Sequence, residues 1–227
     1  MNTTTIPGII TQEQFDTATE QWREAVGTHN VDELQQGFAQ GGQILSYVSF
    51  PINQITKLIS TVGIHKVKAK FGLIPDAATG VLHFAVILFA ADIEGARISS
   101  YYVNASYWGG SSPVRPLPNA KVPNSLAQVW LDNWHGLTQI EPNLFEVYNT
   151  TLEGYTFDAE DFIRPFFNLQ VSDQSALRVY FGLHQYYQSG PSGDAETRTL
   201  GLVLQLYSVG QPSEPYFDIS MPCPKTC

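Results

Sequence analysis

Apolar residues recur at helical spacing over residues 12–26, where Phe15, Ala18, Trp22 and Val26 form one stripe behind a capping-box pair, Thr11 and Gln14. A second, shorter helix is predicted over 31–39, capped by Asn30, with Leu34 and Phe38 inward and Gly41-Gly42 as its stop. Residues 44–50 read as a strand, and Pro51 suits the first turn of a helix over 52–60 that carries Ile55, Leu58 and Ile59. From 65 to 73 the period changes to two: Val67, Ala69, Phe71 and Leu73 alternate with Lys66, Lys68 and Lys70, the pattern of a half-buried strand. Residues 81–91 are apolar on both faces and predict a central strand, followed by a third strand over 96–103.

The same order of elements returns after a stretch rich in Gly, Ser and Pro, residues 109–124, which reads as a linker. A helix over 125–137 carries Leu126, Trp130 and Trp134; a short one over 142–150 carries Leu144 and Tyr148. A strand stub at 155–157 leads to a helix over 159–168, capped by Asp158 and interrupted by Pro165, with Glu160 and Asp161 where the helix dipole favours acids. Residues 177–183 and 197–209 predict a hairpin whose loop spans 188–196. The echoes are specific. Lys68-Ala69-Lys70-Phe71-Gly72-Leu73 recurs 110 residues on as Arg178-Val179-Tyr180-Phe181-Gly182-Leu183, and Phe15…Ala18…Trp22 matches Ala127…Trp130…Trp134. Tyr47 aligns with Tyr155 at a spacing of 108, and Leu82 to Phe89 with Leu200 to Tyr207 at 118. The expected fold class is α+β, in two tandem pseudo-symmetric units, each with helices followed by an antiparallel hairpin or three-stranded sheet. The boundaries are an arm at 1–10, units at 11–108 and 125–220 around the linker, and a cysteine tail at 221–227.

Composition narrows the function classes. With 43% hydrophobic and 15% charged residues, a 227-residue chain has ample material for a large core. A net charge of −9 argues against binding nucleic acid or an anionic membrane, and residues 81–91 are too few to cross a bilayer. Residues 1–7 show neither a basic stretch nor an apolar one, so the expectation is a soluble, cytoplasmic protein.

Leu177-Arg178-Val179-Tyr180-Phe181-Gly182 resembles the "GIRIYYG" strand of a group of Bacteroidota proteins without an assigned activity. Ala127-x-x-Trp130, Tyr155-Thr156-Phe157, the Leu-rich 200–206 and the closing Cys223-Pro224-Lys225-Thr226-Cys227 follow that group's order. The resemblance covers 124–227 and, more faintly, the first half. The group's form is a single unit, whereas this chain carries two. The resemblance implies a fold and supplies no catalytic residues.

Chemistry-bearing residues are few. Cys223 and Cys227 can form a disulfide or an intermolecular crosslink, but two thiols do not complete a zinc site. The histidines show no metal spacing, and no phosphate-loop, dinucleotide or nucleophile-elbow motif occurs, so neither a metal nor a cofactor is expected. His135 near Asp132 suggests acid–base chemistry without a third member. If the leucine faces of the hairpins enter the core, the opposite face presents Lys68, Lys70, His83, Arg178 and Tyr180 as a candidate anionic-ligand site. Lys70 answers to Tyr180 in the echo, so a duplicated site is not expected. The leading expectation is a non-enzymatic structural or interaction protein whose partner is itself or another protein. The alternative is an anionic-ligand-binding domain or enzyme on the basic hairpin face.

Overall fold

The computed structural model describes residues 8–77, 79–109, 123–147, 150–167, 172–190, 193–207 and 221–222. The capping box holds as expected: Thr11 Oγ1 accepts from Gln14 N and Gln14 Oε1 accepts from Thr11 N, opening α1 (Gln12–Gly27). Asn30 caps α2 (Val31–Gly37) through Glu33 N. After β2 (Ala39–Gln40) come β3 (Gln43–Pro51) and α3 (Ile52–Ile59), with Pro51 at the cap position rather than inside the helix. The alternating segment forms β4 (Lys66–Pro75) and the apolar one β5 (Leu82–Ala91).

Several boundaries differ from the sequence reading. The strand expected over 96–103 is only β6 (Tyr101–Val103): the Asp92 turn, closed by Glu94 N and Ala96 N, ends at Ala96, Arg97 makes an isolated bridge with Ala91, and Ser99 Oγ accepts from Ala90 N. The arm contributes β1 (Ile9–Ile10), paired with β6, and β7 (Ser106–Gly109) precedes the linker, whose residues 110–122 lie outside the described residues. The second long helix is α4 (Asn124–His135). The helix expected over 142–150 is a single 3-10 turn, Pro142–Phe145, followed by the β8 (Glu146–Val147) and β9 (Thr150–Thr151) ribbon; Tyr148 lies outside the described residues. β10 (Gly154–Asp158) leads into α5 (Ala159–Ile163). Asp158 stands at the cap position without a side-chain cap bond and accepts instead from Lys66 Nζ at 2.6 Å. The proline at 165 cannot donate to an α-helical ladder, and the chain tightens to a 3-10 turn at Arg164–Phe167. β11 (Ala176–Gly190) and β12 (Gly193–Tyr207) run through most of the expected loop, and β13 (Met221–Pro222) pairs with β10.

The strands form two main sheets, in the orders β1-β6-β5-β4-β10-β13 and β12-β11-β3-β2, with β7 also on β3. Each hairpin is thus extended by the short strand of the other half of the chain. Tyr155 pairs with Ala69, and Val48 pairs with Val179. One core joins both sheets: the ring centroids of Phe84 and Phe181 are 5.4 Å apart, and Phe38 stacks on Phe145 at 5.2 Å and 13°.

The outward faces of the hairpins are covered rather than solvated, which corrects the expected open face. Helix α1 places Phe15 and Ala18 over Ile87 and Phe89, and its next turn drops Trp22 into the shared core. Helix α4 places Ala127 and Leu131 over Tyr180 and Val203, and its Trp134 enters the core. The Phe-Gly pairs serve this packing. Phe71 and Phe181 point inward, while a Cβ at Gly72 or Gly182 would stand 3.0 Å from the Cβ of Ala18 or Trp130. The two indoles close alike: Trp22 Nε1 donates to Leu152 O at 2.9 Å and Trp134 Nε1 to Leu45 O at 2.7 Å.

Candidate functional site

The five residues singled out by the sequence do not form one site. Lys68, Lys70 and His83 belong to the six-stranded sheet, Arg178 and Tyr180 to the five-stranded one. His83 is half-buried with its ring 5.6 Å from that of Tyr107. Cys223 and Cys227 lie outside the described residues.

On the six-stranded sheet, α1 crosses β4 beside the start of β10, and a cleft of about 480 Å³ opens there. Its apolar lining is Phe15, Trp22, Phe71 and Phe89; its polar lining is Asp16, Thr19, Arg23, Lys70 and Glu153. Lys70 is buried and its Nζ lies 3.1 Å from Glu153 Oε2. Arg23 Nε is 3.9 Å from the other oxygen of the same carboxylate, while its Nη2 meets Glu20 at 2.9 Å. Neighbouring Lys68 is half-buried. Burial first, then the Lys70 charge, holds its ammonium below the usual lysine range, with Asp92 opposing.

On the five-stranded sheet, cross-strand pairing sets Trp108, Tyr47, Tyr180 and Val203 in one row and Ser106, Ser49, Arg178 and Gln205 in the next. The Arg178 guanidinium lies 3.4 Å from the Tyr207 ring centroid and 4.9 Å from that of Tyr47, and donates to Tyr180 Oη at 3.3 Å. No carboxylate among the described residues is paired with it. Burial raises the Tyr47 phenol above its usual range, with Arg178 opposing. Trp108 stacks on Tyr47 at 6.1 Å and 16° yet remains 53% exposed. Helix α4 lies on this face and leaves Leu126 and Val129 exposed, and the far end of the hairpin exposes Tyr186 and Tyr187.

A third cluster supplies the member that His135 lacked in the sequence. Its Nε2 lies 3.1 Å from Ser46 Oγ, at the edge of a pocket of about 510 Å³ that His135 lines with Gln35, Gln43 and Trp134. Ser46 itself is fully buried and does not line that pocket, so the pair is a packed hydrogen bond rather than an exposed nucleophile. Burial lowers the His135 pKa below 6.5, against Asp132, which raises it. The folded state therefore takes up this proton later than the unfolded chain does. The stability it sustains as a neutral ring is present above pH 6.5 and is lost as pH falls from there through the lower folded pKa. In His135→Asn, urea midpoints measured across this range are expected to decline less steeply with acid than those of the wild type; equal slopes would exclude His135 as the titrating group.

The sequence reading missed Arg23, Glu153 and Ser46. Glu153 reaches Lys70 across 83 residues, and Ser46 reaches His135 across 89, so no local spacing signals either pair. Among the described residues no cluster of three or more His, Cys, Asp or Glu is placed to hold a metal, and no helix is long and apolar enough to cross a membrane. No family model, curated protein or solved structure matches the chain.

Proposed function

We propose that the chain is a non-enzymatic interaction protein that associates through the part of its five-stranded sheet's outer face that α4 leaves uncovered, around Trp108, and that it is built from two tandem pseudo-symmetric units. The observation that carries the first part is the exposed Trp108 stacked on Tyr47 beside the Tyr-framed Arg178. Trp, Tyr and Arg are the residue types that dominate binding energy at protein interfaces. A face holding both cation and aromatic rings is complementary to itself across a two-fold axis, because each copy's arginine can pack on the other's rings. A second copy of the chain is therefore the occupant this reading names.

The duplication is supported by matched contacts. Trp22 bonds Leu152 O as Trp134 bonds Leu45 O, and Leu45 N bonds Phe38 O as Leu152 N bonds Phe145 O. The Trp22–Phe71 and Trp134–Phe181 rings meet at 5.6 and 5.7 Å. These pairings shift two of the sequence echoes. Val48 rather than Tyr47 answers to Tyr155, and Val86, opposite Phe71, answers to Leu202, opposite Phe181.

Light scattering over a concentration series is the test. The wild type is expected to gain mass with concentration, and Trp108→Ser, which alters an exposed ring, to remain monomeric with an unchanged melting temperature. A wild type that stays monomeric throughout would overturn self-association.

A further inference from the structure

The cleft between α1 and β4 holds a buried ammonium with unused hydrogen-bonding capacity. Lys70 has three N–H donors, yet among the described residues its Nζ makes one hydrogen bond, to Glu153. The residue is 6% exposed and lines the cleft. A buried charged group with unsatisfied donors is costly unless something fills the site.

The chain contains its own comparison for this junction. In the first half, the residues after Trp22 and Leu152, which bond each other, are Arg23 and Glu153. In the second half, the residues after the bonded Trp134 and Leu45 are His135 and Ser46. Where Lys70 precedes Phe71, Tyr180 precedes Phe181; where Thr19 stands three residues before Trp22, the fully buried Leu131 stands three before Trp134. The second junction carries the His135–Ser46 hydrogen bond, a tyrosine that accepts from Arg178, and a leucine at the Thr19 position, beside a pocket of its own lined by Trp134 and His135. A buried lysine–carboxylate pair is therefore not what the fold requires there. The comparison rests on the two-unit reading proposed above and does not depend on the association face.

We propose that this cleft binds a small organic carboxylate with an aromatic or apolar body. The carboxylate accepts from the spare donors of Lys70, with Arg23 at the mouth, and the body lies against Phe15, Trp22 and Phe89. A charge-assisted bond to a buried ammonium is the strong kind of hydrogen bond, and a cavity of about 480 Å³ is large enough for a single ring with a short chain. Thr19, whose Oγ1 is turned back to Phe15 O at 3.0 Å, leaves the space that Leu131 occupies in the other half.

The probes are sodium phenylacetate and sodium 3-phenylpropionate, with phenylacetamide and phenethylamine as controls, read by saturation-transfer NMR on the whole chain. Both carboxylates are expected to bind and the amide and amine to give no transfer. Lys70→Met is expected to weaken carboxylate binding by about tenfold or more. Since Lys70→Met strands Glu153 and can impair folding, Thr19→Leu is the second variant; it fills the space, leaves every charge in place and is expected to weaken binding as much. No transfer from either carboxylate, equal transfer from the amide, or affinities unchanged in Thr19→Leu would each overturn the proposal. Trp108→Ser is expected to bind the carboxylates as the wild type does, which separates this site from the association face.

Discussion

Trp22→Ala is expected to cost about 4 kcal/mol or more, close to the whole stability of an ordinary domain. Trp22 is fully buried, and its ring meets Phe38, Phe71, Phe84 and Phe145 at centroid distances of 4.9 to 6.3 Å. Its removal leaves a cavity where the two halves of the chain meet and strips the carbonyl of Leu152 of the indole donor. Trp22→Phe keeps most of the ring volume but loses that donor, and is expected to cost about 1–3 kcal/mol. Trp134 is equally buried and bonds Leu45 O, with Phe38 and Phe181 at 5.6 and 5.7 Å. If the two units are equivalent, Trp134→Ala destabilises by the same amount within about 1 kcal/mol, near the resolution of such comparisons. Urea denaturation followed by far-UV circular dichroism measures both. A Trp22→Ala midpoint close to that of the wild type would show that the indole is not central to the core, and a large inequality between the tryptophans would count against equivalent units.

Cutting the chain within residues 110–122 is expected to leave a functional fold only when both pieces are present. Fragments 1–115 and 116–227, expressed together, are expected to copurify one to one, because β3 completes the sheet of β11 and β10 completes the sheet of β4. Fragment 1–115 alone would lose β10 from the edge of β4, and Phe145 from the face of Phe38. It would then expose strand edges and aromatic core together, a combination that leads to aggregation or to pairing with a second copy. The expected result is the absence of a cooperative monomeric transition in either fragment by itself. A fragment that folded alone as a monomer would overturn the exchange of strands as the basis of stability. A homodimer of one fragment would support it, since a second copy can supply the missing short strand.

The sheet exchange also shapes where sites arise. Beside the Trp22 bond the chain carries Lys70, Glu153 and Arg23, and beside the Trp134 bond Tyr180, Ser46 and His135. The side chains beside the two tryptophan-to-carbonyl bonds therefore differ in chemistry while the bonds themselves are alike. The proposed carboxylate site and the proposed association face fall on different sheets for this reason, and each can be removed by a substitution that leaves the other intact.

What the sequence by itself determined was everything carried by local spacing. The stripe of Phe15, Ala18, Trp22 and Val26 behind the Thr11 capping box specified α1, and the Lys/apolar alternation specified β4. The repeated Phe-Gly pair was visible as an echo, although only the structure shows that its glycine makes room for a crossing helix. Spacing also failed where a local rule competed with another. Pro165 turned the end of α5 into a 3-10 turn, and the Ser99 hydroxyl took the Ala90 N–H ahead of β6. Which strand pairs with which was decided only in three dimensions. β10 pairs with β4, from the other half of the chain, and its Tyr155 and Phe157 enter the core that the two halves share. The same holds for Lys70. Its alternation in β4 predicted a solvated side chain, but the passage of α1 over the sheet buried it and the exchanged segment brought Glu153 to it. Periods of 2 and 3.6 residues are properties of a backbone a few residues long, whereas burial and charge pairing depend on surfaces that exist only once distant segments have met.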